Sequence, residues 1–315
     1  MREHRMKKVP YSLTYKGQKY NFNYLRNYNG FRWEEIDLNK IKAIFIGGST
    51  ADERWKPEEH TIVGIINKKL KKDNIEIKIT NAAIEGQSTL GHLTNFSKWF
   101  PKLKDFKPKY FIFYVGINDH LRNKFETGEI DDSDGHMKSE GKDFLIDTIK
   151  SNSFFYDSLR KIKYKYYNKD KQIIYDFDYA IKNYIKKDSK YQYMSYDQAI
   201  KTYDLNKILI NNKKNINYYL NNIDKLHDKV KKYDAIPIFI NQVMSDGSAL
   251  KTLFALNFSL IQHCKLKNYN CINLAKKLNG VQEYWFDGIH TTHEGSKKIS
   301  ELIYPELKSF LLKKN

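Results

Sequence analysis

The stretch "IKAIFIGGSTADERW", residues 41–55, decides the fold. Its apolar, β-branched first half reads as a strand buried on both faces. The run stops at Gly47-Gly48, and Ser49 follows at once. Such an ending is either an ordinary turn, with Ser49 capping the next segment, or a corner that presents a hydroxyl for attack. Which of the two applies depends on what the other strand ends carry.

Outward from this stretch, the chain alternates strands and helices. Pro57, Glu58 and Glu59 suit a helix start, and Ile62, Val63, Ile65, Ile66 and Leu70 form its apolar face. "NIEIKITNAA" reads as a second strand, with Ile75, Ile77 and Ile79 alternating. A helix from about Leu90 to Leu103 leads to a third strand, "KYFIFYVG". Further on, "INYYLNNIDKLHDKVKKY" is a helix, "AIPIFINQ" a strand, "LKTLFALNFSLIQHCKLK" a helix and "NCINL" a short strand. The last helix carries Ile299, Leu302, Ile303, Leu307, Phe310 and Leu311 on one face. This rhythm predicts an α/β fold, a parallel sheet covered on both sides by helices. Residues 1–40 are aromatic-rich and weakly periodic, and are expected to pack on the domain that spans 41–313. Between about 120 and 212 the rhythm breaks into acidic and Lys/Tyr-rich segments such as "GEIDDSDG" and "RKIKYKYYNKDKQ", read as an insertion with helical pieces. It starts beside the third strand end, so it is either a lid or a solvated outgrowth.

Reactive groups in such sheets gather at the C-terminal strand ends. Ser49 ends the first strand, Gly86 follows the second, "GIND" (116–119) ends the third, and "DGIH" (287–290) follows the fifth. A serine hydroxyl needs a base, and a neutral imidazole is one near pH 7. His290 is preferred over His293, because Thr291 and Glu294 have the spacing of a capping box that places His293 in the last helix. Asp287, three residues before His290, can take the imidazole N–H. The Ser49 and Gly86 amides and the Asn118 carboxamide are candidate oxyanion donors. Asp119 is read as a loop-holding carboxylate. Arg54 and Trp55 either bind substrate or serve as a packed arginine stem and a core tryptophan. Gln242, at the fourth strand end, is a candidate wall of the site.

With these residues in place, the chain resembles the SGNH hydrolase superfamily, also called GDSL esterases and lipases. "FIGGSTADE" matches the family's first block, Gly86 in "NAAIEGQST" the second, "GIND" the third and "DGIH" the fifth, in family order. The first block departs from it, reading Gly-Gly-Ser-Thr instead of Gly-Asp-Ser-Leu, a variant similar to SGNH proteins linked to bacterial envelope sugars. The resemblance implies a flavodoxin-like three-layer fold with five parallel strands, a Ser49-His290-Asp287 triad, an oxyanion hole from Ser49, Gly86 and Asn118, and neither metal nor cofactor. It points to a serine esterase or deacylase acting on short acyl esters, O-acetyl groups on carbohydrate among them. An O-acyltransferase to a sugar and a non-catalytic polyanion- or glycan-binding protein are the alternatives. The α/β-hydrolase elbow Gly-x-Ser-x-Gly is not met, since Ala51 stands at its second glycine.

Bulk properties fit this reading. The chain has 315 residues, 41% of them apolar and 15% aromatic, enough for a large core. The formal charge of +18 comes from lysines spread along the whole chain with abundant Asn, Ile and Tyr, a pattern of biased base composition, so no nucleic-acid partner is expected. His92, His120 and His136 lack metal-cluster spacing, and Cys264 and Cys271 are too few for a disulfide framework. No run approaches a membrane span, and "MREHRMKKVPYSL" has no apolar segment after its basic residues. A cytoplasmic protein is expected, with a periplasmic or envelope location as the alternative if an N-terminal anchor precedes the sequence.

Overall fold

The computed structural model describes residues 7–33, 36–121, 172–187, 193–280 and 282–313. Its main sheet consists of β3 (Ala43–Gly47), β4 (Ile79–Asn81), β5 (Tyr110–Val115), β7 (Ile236–Asn241) and β8 (Asn270–Ile272). The strands are all parallel and lie in the order β4-β3-β5-β7-β8. Counted within this sheet the order is 2-1-3-4-5, the flavodoxin-like doubly wound arrangement, whose switch point falls between β3 and β5. The expected five-stranded three-layer fold is therefore present.

Residue alternation explains why both faces need covering. Ala43 and Phe45 of β3, with Tyr110, Ile112 and Tyr114 of β5, face one core, which α2 (Ile62–Lys72) and α11 (His293–Leu312) close. Ile44 and Ile46, with Phe111, Phe113 and Val115, face the other, where α3 (Thr89–Lys98) and α8 (Lys213–Lys231) pack. A strand apolar at every position is thus the mark of two buried faces, each read at a period of two.

Several local expectations are corrected. The helix expected from Pro57 begins instead with a short 3-10 turn, Glu58–His60, and α2 starts after Thr61, whose side chain accepts from the Gly64 amide. The second strand is only three residues long, because the Asn67 carboxamide bonds both the amide and the carbonyl of Ile79 and ends the pairing there. Cys264, in α9 (Lys251–Lys267), is bonded to Cys271 of β8 as a single disulfide.

The N-terminal residues form strands of their own. β1 (Lys7–Tyr15) and β2 (Gln18–Arg26) form a hairpin across Lys16-Gly17, both at positive φ (50° and 71°), the twist that a two-residue hairpin turn favours. β6 (Ile173–Asp176) adds to β1 in parallel, giving a second sheet in the order β2-β1-β6. The Asp178 carboxylate, at the start of α5 (Phe177–Lys187), then accepts the Lys16 and Gly17 amides at 2.7 and 2.9 Å. Leu13, Tyr15, Phe177 and Phe286 pack together with Trp55, so this sheet abuts the loop that carries Asp287 and His290. Within the expected insertion, residues 193–212 supply α6 (Tyr196–Thr202) and α7 (Leu205–Asn211). Its segments "GEIDDSDG" and "RKIKYKYYNKD" lie outside the described residues.

Candidate active site at the strand ends

The chain leaves β3 at Gly47 and turns straight into α1 (Ser49–Asp52), a single helical turn. Two glycines make the corner feasible. A Cβ on Gly47 would lie 2.6 Å from the Ala51 Cβ, and one on Gly48 would lie 2.0 Å from Asn118 Nδ2. The Gly-Gly-Ser form of the first block is therefore tied to where the Asn118 amide sits. Gly48→Ala is expected to displace Asn118, to destabilise the fold by about 1–3 kcal/mol, and to lower any Ser49-dependent turnover; a melting curve and kcat check both.

Ser49 starts α1, so its amide has no intrahelical acceptor. Its Oγ lies 2.9 Å from His290 Nε2, and His290 Nδ1 lies 2.8 Å from Asp287 Oδ2. Asp287 Oδ1 accepts the Ile289 and His290 amides at 2.7 and 2.6 Å, which pins the carboxylate. Burial works to raise the Asp287 carboxyl, but His290 and these amides outweigh it and hold it below the usual range. An ionised carboxylate only accepts, so the neutral imidazole carries its proton on Nδ1 and turns the Nε2 lone pair to Ser49. Trp55 meets the His290 ring edge-on at 4.4 Å and Phe286 stacks on it at 5.8 Å. The ring is thus held on two sides.

Asn118 belongs to α4 (Ile117–Leu121), directly after β5. One of its amide hydrogens goes to Gln87 O at 2.7 Å, leaving the second for another acceptor. Gly86 precedes Gln87 with φ at 79°, a conformation that glycine adopts without strain. The Ile84 amide bonds Gly47 O at 3.0 Å and ties this turn to the end of β3. Asn118, through Gln87 O, thus reaches the turn that holds Gly86, and this turn lies beside the end of β3 that leads to Ser49. Asp119 accepts the Thr89 amide and hydroxyl at 3.1 and 2.5 Å, a carboxylate at the positive end of α3.

Three candidates for substrate contact have other employment. Gln242 is buried, with Oε1 accepting the Ile117 amide and Nε2 donating to Thr50 Oγ1, both at 2.8 Å. It braces the loops after β3 and β5 and is not a wall. Trp55 is buried against His290. Arg54 keeps 27% of its side chain exposed but pairs with Glu85 at 2.7 Å and Asp52 at 3.4 Å. The capping residue of the last helix is Thr292, which accepts the Gly295 amide, and not Thr291. Thr291 instead enters a buried polar network with Glu53, Lys56 and Ser296, and no sequence pattern marks these last three. No group of three or more His, Cys, Asp or Glu among the described residues is placed to hold a metal ion, and His136 lies outside them.

No family model matches this chain, and no curated protein matches it. Solved structures are similar to it. TesA is 13% identical, covering 85% of this chain and 98% of its own, with a TM-score of 0.49. The psychrotrophic esterase EstA from Pseudoalteromonas sp. is 13% identical, covering 86% and 100%, at 0.48. A variant of Axe2, an acetyl-xylooligosaccharide esterase from Geobacillus Stearmophilus, is 12% identical, covering 85% and 96%, at 0.47. The strand order is that of a flavodoxin-like doubly wound sheet, and Ser49, Gly86 and Asn118 follow its first three strands in sequence.

Proposed function

We propose that this protein is a serine esterase of the SGNH class. The observation that carries the reading is the continuous relay from Ser49 Oγ through the His290 ring to Asp287, at 2.9 and 2.8 Å. Ser49 attacks the ester carbonyl as Nε2 takes its proton, and Asp287 stabilises the imidazolium that forms. The oxyanion is met by the Ser49 and Gly86 amides and the free hydrogen of the Asn118 carboxamide. His290 returns its proton to the leaving alcohol, and the bond to it breaks. Water, deprotonated by the same imidazole, then releases the acid from the acyl-enzyme. Short acyl esters, O-acetyl groups on carbohydrate included, are the substrate class assigned. No helix among the described residues is long and apolar enough to cross a membrane. The Cys264–Cys271 disulfide supports the periplasmic or envelope alternative, since cytosolic thiols are kept reduced.

The test is hydrolysis of p-nitrophenyl esters from acetyl to long acyl, with mass spectrometry of the protein after a serine-directed phosphonate. A rate falling with acyl length and a single adduct on Ser49 are expected. A folded protein that neither turns over nor takes the label refutes the reading. Acylated sugar in place of free acid, when sugar acceptors are added, would turn it into a transferase. Asn118→Ala is expected to lower kcat by roughly 10²–10³ with KM little changed. A loss below threefold would remove Asn118 from the oxyanion hole.

A further inference from the structure

Seven residues after the nucleophile, the chain buries a complete ion pair. Lys56 and Glu53 have side chains 0% and 1% exposed, with Lys56 Nζ 2.5 Å from Glu53 Oε1. Charges at such depth persist only where every hydrogen bond is met. Here the partners come from the other end of the chain. Lys56 Nζ donates to Thr291 O at 2.9 Å and to Thr291 Oγ1 at 3.0 Å, and reaches Ser296 Oγ. Glu53 Oε1 accepts from Ser296 Oγ at 2.5 Å and Thr291 Oγ1 at 3.1 Å, and Oε2 takes the Ile62 amide at 2.6 Å.

What these bonds hold is informative. Thr291 directly follows His290, so Lys56 grips the peptide carbonyl one residue from the base. Glu53 is the residue that ends the nucleophile turn, at φ 46°, and its amide bonds Ser49 O at 2.9 Å. The network therefore joins the short turn bearing Ser49 to the loop bearing His290 by a path separate from the 2.9 Å contact between the two side chains. A plain fold staple could sit anywhere along α2 and α11, which already pack together through Ile62, Ile66, Ile299 and Ile303. This one sits at the two reacting elements.

Resting on the esterase reading, we propose that Glu53, Lys56 and Thr291 are positioning residues that set the Ser49–His290 distance and the imidazole plane. None of them touches substrate. Their effect is on alignment, where a shift on the order of 1 Å is enough to lower a rate about 10²-fold.

The experiment uses the full chain with two changes that leave no lone buried charge. The first is the double variant Glu53→Gln/Lys56→Met; the second is Thr291→Val, close to isosteric, which removes one hydroxyl. Each is measured for kcat and KM on p-nitrophenyl acetate, for melting temperature, and by NMR for the downfield His290 Nδ1 proton shared with Asp287. Expected are kcat losses of about 10²-fold for the double variant and about tenfold for Thr291→Val, KM unchanged, and a shifted or broadened imidazole proton. A folded variant with kcat within threefold of wild type, or an unmoved resonance, overturns the proposal. If the double variant does not fold, Thr291→Val decides. If the wild type proves inactive toward esters, the esterase reading falls, and the resonance alone still tests whether the network orients His290.

Discussion

Replacing Ser49 by alanine is expected to lower p-nitrophenyl ester turnover by a factor on the order of 10⁴ or more, with an unchanged melting curve. The size follows from what remains. On the proposed mechanism the variant keeps the Gly86 and Asn118 donors and an intact His290–Asp287 pair, so oxyanion stabilisation and a base for water would persist. What disappears is the acyl-enzyme path, in which one hard displacement is split into two easier ones. The fold should not notice the change. Ser49 is only partly buried, its Oγ is bonded to His290 Nε2, and alanine suits the first position of α1. The check is kcat together with loss of phosphonate labelling. Retention of more than a tenth of the activity would assign the nucleophile to another residue.

Asp287→Asn is expected to lower kcat by a comparable factor, on the order of 10⁴. The geometry gives the substitution a defined outcome. Two backbone amides, from Ile289 and His290, point at Oδ1, so an oxygen must stay there. The carboxamide nitrogen then falls at the Oδ2 position, facing His290 Nδ1 at about hydrogen-bond distance. Nitrogen donates where oxygen accepted, Nδ1 gives up its proton, and Nε2 carries it toward Ser49. The imidazole is held in place but in the wrong tautomer. Nitrogen-15 spectra of the ring should show the exchange, and kcat should fall with KM little moved. A loss of less than tenfold would mean that Asp287 only shapes the loop.

Much of this was legible because it depends on local pattern. A run such as residues 43–46, apolar at every position and followed by two glycines, reads as a doubly covered strand, and in a parallel sheet the segments after the strands, with Ser49 and Asn118, lie at one end. Part of what stayed hidden was present in the letters. Val9, Tyr11, Leu13 and Tyr15 alternate along β1, and Lys16-Gly17 is a hairpin turn, yet aromatic-rich flanks blur that signal. The parallel partner of β1 lies about 160 residues away at Ile173–Asp176, and no local period reports such a pairing. The same holds for Lys56 and Glu53. No local pattern marks them, since the groups that satisfy them are near residue 291. Gln242 was placed at the right strand end, but only its hydrogen bonds reveal a brace in place of a substrate contact.

The contact between Ser49 and His290 spans 241 positions, and it orders events in time. During synthesis the turn bearing Ser49 is made well before Asp287, His290 and the helix that follows them. Until then Ser49 is an ordinary alcohol, unable to attack esters in its surroundings. A nascent chain, or one broken off before residue 287, carries the serine without its relay and stays chemically silent. On the esterase reading, Ser49 is armed only once residues 287–290 have folded onto it.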